Sequence, residues 1–593
     1  MTITEKVSTG TQGLNSHSFL MFKAYIGLTC RGESTPEKFF HKRQVTDNVK
    51  FFVFFSCCVA VIEVKGLSFK YLGGKDFALR GIDLEVEKGE TILLVGPSGC
   101  GKSTLIRAIN GLIPHRYAGE YKGSVTVSGV NVAESSPQAL SRIVGTVMQE
   151  VSKQLVAQTV EDDVAFGPAN LCMPREELRR RVEASLKAVG ALHLRERDIN
   201  ALSGGEKQRV VFAGILAMDP EVVLLDEPLA NLDSEGVRLV LERVEDFKQR
   251  GKTIVIAEHR TEEILEGVRV DRIIVMDKGV VLKELDSPED LAEYRDKVRV
   301  PSSLIYSAQI VNKSLLPING VTTRDSGKDV IIFEGVYFSY DGTRYALENV
   351  SLTIREGERV ALLGNNGAGK STMSKLMLGL LKPTKGRVLV DGEDTRRKEP
   401  YELAGKVGLV VQDPYSMLFA RTVREELAFG PRNLGVPQEE IDKRVDEVSK
   451  ACGISHLLDG SPFSSSYGEK KRICVGAVLT MYPSILILDE PTAGQDYANY
   501  VRFLDFVTSL NQVRTFILIT HDIDIALEYT DRTIVLSGGR VIADGPTVEV
   551  LAREDILRQG SLRETQLIRL GRALSNGKRV YRRRELEKAL QKT

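Results

Sequence analysis

Two stretches of the chain carry the residue types and spacing that hold a polyphosphate. Gly96-Pro97-Ser98-Gly99-Cys100-Gly101-Lys102-Ser103, followed by Thr104, and Gly364-Asn365-Asn366-Gly367-Ala368-Gly369-Lys370-Ser371, followed by Thr372, both spell G-x-x-x-x-G-K-S. Backbone N–H groups of such a loop converge at a helix N-terminus, where the dipole also favours negative charge. The glycines allow the close approach. Lys102 and Lys370 are placed to reach the β and γ phosphates, and the hydroxyls of Ser103 and Ser371 to bind Mg²⁺. The expected chemistry is that of a nucleoside triphosphate held as its magnesium complex. One such pattern arises by chance in roughly a few per cent of chains this long; two in register do not.

Later landmarks repeat at nearly the same offset. The two lysines stand 268 residues apart, Asp226 and Asp489 stand 263 apart, and His259 and His521 stand 262 apart, which marks a duplicated domain. Val222-Val-Leu-Leu-Asp226-Glu227 and Ile485-Leu-Ile-Leu-Asp489-Glu490 read as buried strands ending in paired carboxylates. The first acid of each pair suits Mg²⁺, and the second suits a general base that polarises the attacking water. His259 and His521 follow the apolar runs Thr253–Ala257 and Phe516–Thr520, at the strand edge where such sheets bind ligands, and point to γ-phosphate contact. Tyr71 and Tyr340 precede the loops and could stack on adenine or pack into the core.

These groups need a scaffold of alternating strands and helices. Each phosphate loop follows an apolar run, Thr91–Val95 or Val360–Leu363, and precedes a helical pattern with Leu105, Ile106 and Ile109, or Met373, Leu376 and Met377. Val61–Tyr71 matches Val330–Tyr340 position for position, so the first repeat begins near Ala60. The domains expected are 60–285 and 329–548, joined by a linker with a small appendage at 286–328 and followed by a helical, basic segment at 549–593. Residues 1–59 have no counterpart and read as a poorly ordered extension or a start codon placed too far upstream. The basic cluster Lys578, Arg579, Arg582, Arg583 and Arg584 reads as a solvated helix face in preference to a lipid or nucleic-acid patch.

The 593 residues hold 80 Lys plus Arg against 80 Asp plus Glu, so no global field favours nucleic acid or an anionic surface. Seven cysteines without a C-x-x-C pair argue against zinc or a disulfide framework and for a reducing cytoplasm. The longest apolar run, Phe51–Ile62, falls short of the roughly 20 residues that span a bilayer.

Between the first loop and its carboxylates lies Leu202-Ser203-Gly204-Gly205-Glu206-Lys207-Gln208-Arg209, which resembles the signature sequence of ABC ATPases. The resemblance covers about 60–290 and 329–550. It implies an α/β fold with two tandem P-loop NTPase domains, each a RecA-like core with an antiparallel β subdomain and a helical signature subdomain. It also implies ATP hydrolysis, with Gln149 and Gln412 as Q-loop residues near metal and catalytic centre, and Asp233 and Asp496 as D-loop residues. The two domains of such proteins close head to tail, each ATP meeting one P-loop and the other domain's signature. Ala165-Phe-Gly-Pro-Ala-Asn-Leu171 and Ala428-Phe-Gly-Pro-Arg-Asn-Leu434 are similar to ATPases of energy-coupling-factor importers. That likeness implies vitamin or transition-metal uptake, a transmembrane T-type scaffold and an S-type substrate-binding subunit, and a place on the cytoplasmic face of the membrane.

The second signature departs from the pattern. It reads Ser465-Ser466-Tyr467-Gly468-Glu469, with tyrosine at the position of Gly204. A tyrosyl side chain and its restricted φ are expected to impede approach to the γ-phosphate of the site that uses Lys102, Glu227 and His259. The site that uses Lys370, Glu490, His521 and Ser203–Glu206 keeps every part. Gln412-Asp413-Pro414 preserves the family's sequence after the Q-loop, whereas Gln149-Glu150-Val151 does not. A sugar-importer ATPase and a tandem translation factor are the alternatives. The translation factor calls for a long charged inter-domain arm, and the Ala-Phe-Gly-Pro stretch disfavours the sugar importer.

Overall fold

The computed structural model describes residues 60–593 except Lys75, Glu150, Asn231, Asp233, Asp296, Ser303, 305–326, 492–496, 510–512, 575–579, Arg584 and 587–593. The side chains of Tyr467, 497–499 and Leu574 are likewise outside the description. The extension at 1–59 and the D-loop residues Asp233 and Asp496 therefore lie outside the described residues.

Each half builds one four-stranded antiparallel sheet and one six-stranded mixed sheet. Ala60–Tyr71 pairs antiparallel with Leu79–Glu87 and with Gly119–Val127, setting Ile62 opposite Val127; Asp329–Ser339 repeats the arrangement and sets Ile331 opposite Val390. In the first six-stranded sheet, Thr91–Val95 lies between Arg272–Asp277 and Thr253–Ala257, and Val222–Asp226 comes next. In the second, Arg359–Leu363 lies between Arg532–Ser537 and Thr515–Ile519, with Ile485–Asp489 beyond. Every residue of Thr91–Val95, Val222–Asp226 and Thr253–Ala257 is buried, as parallel strands covered on both faces require. Parallel pairing in register brings the C-terminal ends of these strands to one edge. The phosphate loops, the carboxylates and the histidines all emerge there.

The signature segments open helices Gly204–Met218 and Tyr467–Leu479. Ser203 and Ser466 are their N-caps, each closing a capping box with Glu206 or Glu469. Helices Val160–Asn170 and Val423–Asn433 each contain the Phe-Gly-Pro sequence. A Cβ on Gly167 would stand 2.5 Å from Met218 Sδ, and one on Gly430 would stand 2.7 Å from Met481 Cγ, so the glycines let these helices press against the signature helices.

The tails of the halves are more structural than their sequence suggests. The appendage folds as a 3₁₀ helix, Pro288–Tyr294, and Val298 and Val300 join the first core. Helix Gln566–Leu574 follows the second half, and Leu567, Ile568, Val580, Tyr581 and Leu586 are buried in its core. The expectation of a fully solvated basic face is corrected at Arg582, which donates to the Thr530 carbonyl at 2.7 Å and pairs with Asp531 at 2.8 Å. Among the described residues no helix is long and apolar enough to cross a membrane.

Candidate nucleotide site

The first residue of each phosphate loop can only be glycine. Gly96 and Gly364 have φ of 150° and 152°, and a Cβ would stand 2.1 Å from Met276 O and 2.4 Å from Leu536 O. The loops end at Gly101 and Gly369, also left-handed, where helices Lys102–Ile109 and Lys370–Met377 begin. Each lysine is buried and arches back across its loop. Lys102 Nζ donates to Gly96 O at 2.8 Å and Pro97 O at 3.1 Å, and Lys370 Nζ to Gly364 O at 2.7 Å and Asn365 O at 2.9 Å.

Hard oxygen donors meet beside each loop. Ser103 Oγ donates to Asp226 Oδ1 and Ser371 Oγ to Asp489 Oδ2, both at 2.8 Å. Burial, and then the charge of Glu227, pushes the Asp226 carboxyl up to about 6; burial also raises Asp489. A hydroxyl beside a carboxylate whose charge is poorly compensated suits a divalent cation bound with phosphate oxygens.

The second acid of each pair sits in a different environment. Burial alone would raise the Glu227 carboxyl, but hydrogen bonding and charge from His259, with Lys102 and Gln149, hold it below its ordinary value. His259 Nε2 lies 3.1 Å from Glu227 Oε1, and Gln149 Nε2 donates to Oε2 at 2.8 Å. In the second half burial is likewise outweighed, first by the charge of His521, whose Nδ1 lies 2.9 Å from Glu490 Oε2. Thus the two histidines meet their glutamates through different ring nitrogens. Both glutamates are left-handed, φ 50° and 48°, a strained backbone state for a non-glycine residue.

Lys102, Ser103, Gln149, Glu227 and His259 line one cleft of about 380 Å³, and so do Ser98, Gly99, Gly101 and Thr104. Its opposite wall comes from the second half: Ser466, Gly468, Glu469 and Arg472. The first phosphate loop therefore faces the second signature. Asn365 of the second phosphate loop lines a different cleft, about 790 Å³, with Ser234, Glu235 and Arg238 from the first half and Arg558 and Arg563 from the tail of the second; Lys370 and the first signature do not line it. Tyr71 is held in an edge-to-face chain with Phe69 and Tyr117 and its hydroxyl lies 3.2 Å from Thr104 Oγ1. Tyr340 Oη lies 3.2 Å from Thr372 Oγ1, but that ring is 63% exposed.

One part of the sequence argument needs correction. Gly204, the counterpart of Tyr467, does not have a positive φ, and a Cβ there would meet open space. Restricted φ is thus no obstacle to a side chain at this position; what stays of the argument is that tyrosine is larger than glycine. Sequence reasoning also passed over Arg472 in the cleft wall and the buried Lys471 beside Glu490. Aligning Glu206-Lys207-Gln208-Arg209 with Glu469-Lys470-Lys471-Arg472 would have singled out Lys471.

A family model described as ABC transporter matches residues 79–230 and 347–493. The chain is 36% identical over 548 residues to an ABC transporter ATP-binding protein of Methanosarcina mazei, covering 86% of this chain and 93% of that protein. It is 37% identical over 537 residues to another from Clostridium perfringens, covering 86% and 94%. A solved structure of cbiO1 from Clostridium perfringens, described as part of the ABC transporter complex cbiONQ, shares 38% identity over 42% of this chain and all of its own, with a TM-score of 0.37. The protein belongs to the ABC transporter family. It is an ATP-hydrolysing enzyme with two ABC ATPase domains in one chain.

Proposed function

We propose that this chain is the peripheral ATPase of an energy-coupling-factor importer for a vitamin or a transition-metal ion, working with a T-type scaffold and an S-type substrate-binding subunit at the cytoplasmic face of the membrane. The observation that carries this reading is a duplicated apolar surface just after each Q-loop glutamine. Because Gly167 and Gly430 face their signature helices, the preceding phenylalanines turn outward, and Phe166 and Phe429 are 53% and 45% exposed. Val156 and Phe419 precede them in the chain, also exposed, on turns whose N–H groups are held by Asp163 and Glu426. Phe419 and Phe429 pack edge to face with centroids 4.7 Å apart. Large exposed apolar groups repeated on both halves suit a pair of helices from membrane partners.

In each half the lysine and the loop N–H groups hold the triphosphate. Ser103 with Asp226, and Ser371 with Asp489, would hold Mg²⁺, with Gln149 and Gln412 beside it; the ion supplies charge neutralisation on the phosphates. Glu227 and Glu490, kept ionised by their histidines, accept the proton of the attacking water. His259 and His521 keep those carboxylates aimed and contact the γ-phosphate. Closure of the halves around ATP and reopening after hydrolysis moves the Phe166 and Phe429 surfaces, and so the bound helices. The site facing Tyr467 turns over slowly, and the one facing Ser203, Gly204 and Gly205 supplies most hydrolysis.

Co-expression with the chain's genomic neighbours tests the assignment. Affinity purification is expected to bring down a small multi-span scaffold, and Phe166→Asp with Phe429→Asp to lose it while ATPase activity stays within about twofold. Recovery of ribosomes instead would overturn it.

A further inference from the structure

The signature helix of the second half carries a buried cation that the first half lacks. Lys471 is 3% exposed, and its ammonium donates to the backbone carbonyl of Glu490 at 2.7 Å. The carboxylates of Glu490, Asp489 and Asp413 and the thiol of Cys474 all act on it electrostatically. The matching residue of the first half, Gln208, is neutral, and its amide donates to the carbonyl of Pro228, one residue beyond Glu227. The carbonyl that Lys471 grips belongs to a left-handed residue, φ 48°, so the contact holds a strained turn in the one arrangement that aims the Glu490 side chain at His521.

We propose that Lys471 is a charged positioning residue for Glu490, fixing the strained turn and keeping its carboxylate aimed for hydrolysis at the second phosphate loop. This rests on the reading of Glu490 as the base of that site. A charge-assisted hydrogen bond in a dry interior outweighs the neutral amide contact of the first half, so the two sites differ in their own strands as well as in the signatures that face them. Burial pulls the ammonium down to about 8, the direction expected of a cation only 3% exposed.

The test uses the full chain with Glu227→Gln, so that turnover reports the second site. Lys471→Gln, which installs the residue of the first half, is expected to lower kcat about tenfold with KM for ATP within about twofold, as loss of a charged hydrogen bond predicts. Lys471→Arg should recover most of the loss. Unchanged kcat in Lys471→Gln, a parallel loss of kcat and ATP affinity, or no recovery with Arg would each overturn the proposal. Glu490→Gln in the same background separates the two readings. If it abolishes turnover while Lys471→Gln leaves kcat unchanged, only the role of Lys471 fails; if it leaves turnover intact, the assignment of Glu490 fails too.

Discussion

Arg299 is expected to be the most costly side chain to remove outside the cores. It lies in the tail of the first half yet binds the second: Nη1 donates to Asp522 Oδ2 at 2.7 Å, and Nη2 to Asp524 Oδ2 at 3.1 Å. Only 11% of its side chain is exposed, and Asp522 also caps the helix that follows His521. Arg299→Met keeps the bulk of the stem but takes from Asp522 and Asp524 the arginine they share, beside the buried Glu262 and the partly buried Glu263. Breaking a buried pair from one side costs about 3–5 kcal/mol. For units of this size each kcal/mol moves the midpoint by about 2–4 °C, so the melting temperature should fall by about 6–20 °C. Differential scanning calorimetry of the full chain at pH 7.5 measures it. Asp524→Asn added to Arg299→Met should return part of the loss, because it removes a carboxylate left uncompensated. A midpoint within about 2 °C of the parent, or no recovery in the double variant, would refute the electrostatic account.

The same cluster makes stability depend on pH. Burial, and then the charge of Asp524, pushes the Glu262 carboxyl from 4.5 up to about 7. The folded state therefore prefers the protonated form, and its contribution is fully present below about pH 4.5 and lost as pH rises through about 7. Urea unfolding at pH 5 and pH 8 should show the parent losing up to about 3 kcal/mol that Glu262→Gln retains, and identical pH dependence in the two would contradict this. At the nucleotide sites, Glu490→Gln should cost at least about tenfold more ATPase activity than Glu227→Gln, because a tyrosine replaces the first signature glycine opposite Lys102. Equal losses would remove the case for unequal sites.

Local motifs gave the fold and the inner parts of the site because each depends on contiguous residues. Thr91–Val95 could be nothing but a buried strand, and a loop that must pass within 2.1 Å of Met276 O at a hypothetical Cβ announces itself through Gly96. Longer-range placement was less legible. Gln149 meets Glu227 across 78 residues, and the reach of Arg299 into the second half follows from a connector with no periodicity. The signature tyrosine drew attention for a backbone reason that Gly204 does not support, whereas the neighbouring change of Gln208 to Lys471 carries the clearer physical consequence. A single charge inside a helix gives no local signal; its meaning comes from the strained carbonyl that it meets.

The tails also bear on inheritance. Arg299 from the first half lands on Asp522 and Asp524, while Arg563, Arg569 and the backbone of Gln566 from the second half land on Glu266 and Glu262. A graft that exchanged one half for that of a relative would bring an arginine to an empty berth on one side and strand acids on the other. The two halves are thus bound to diverge as a matched set, even where their nucleotide motifs are interchangeable.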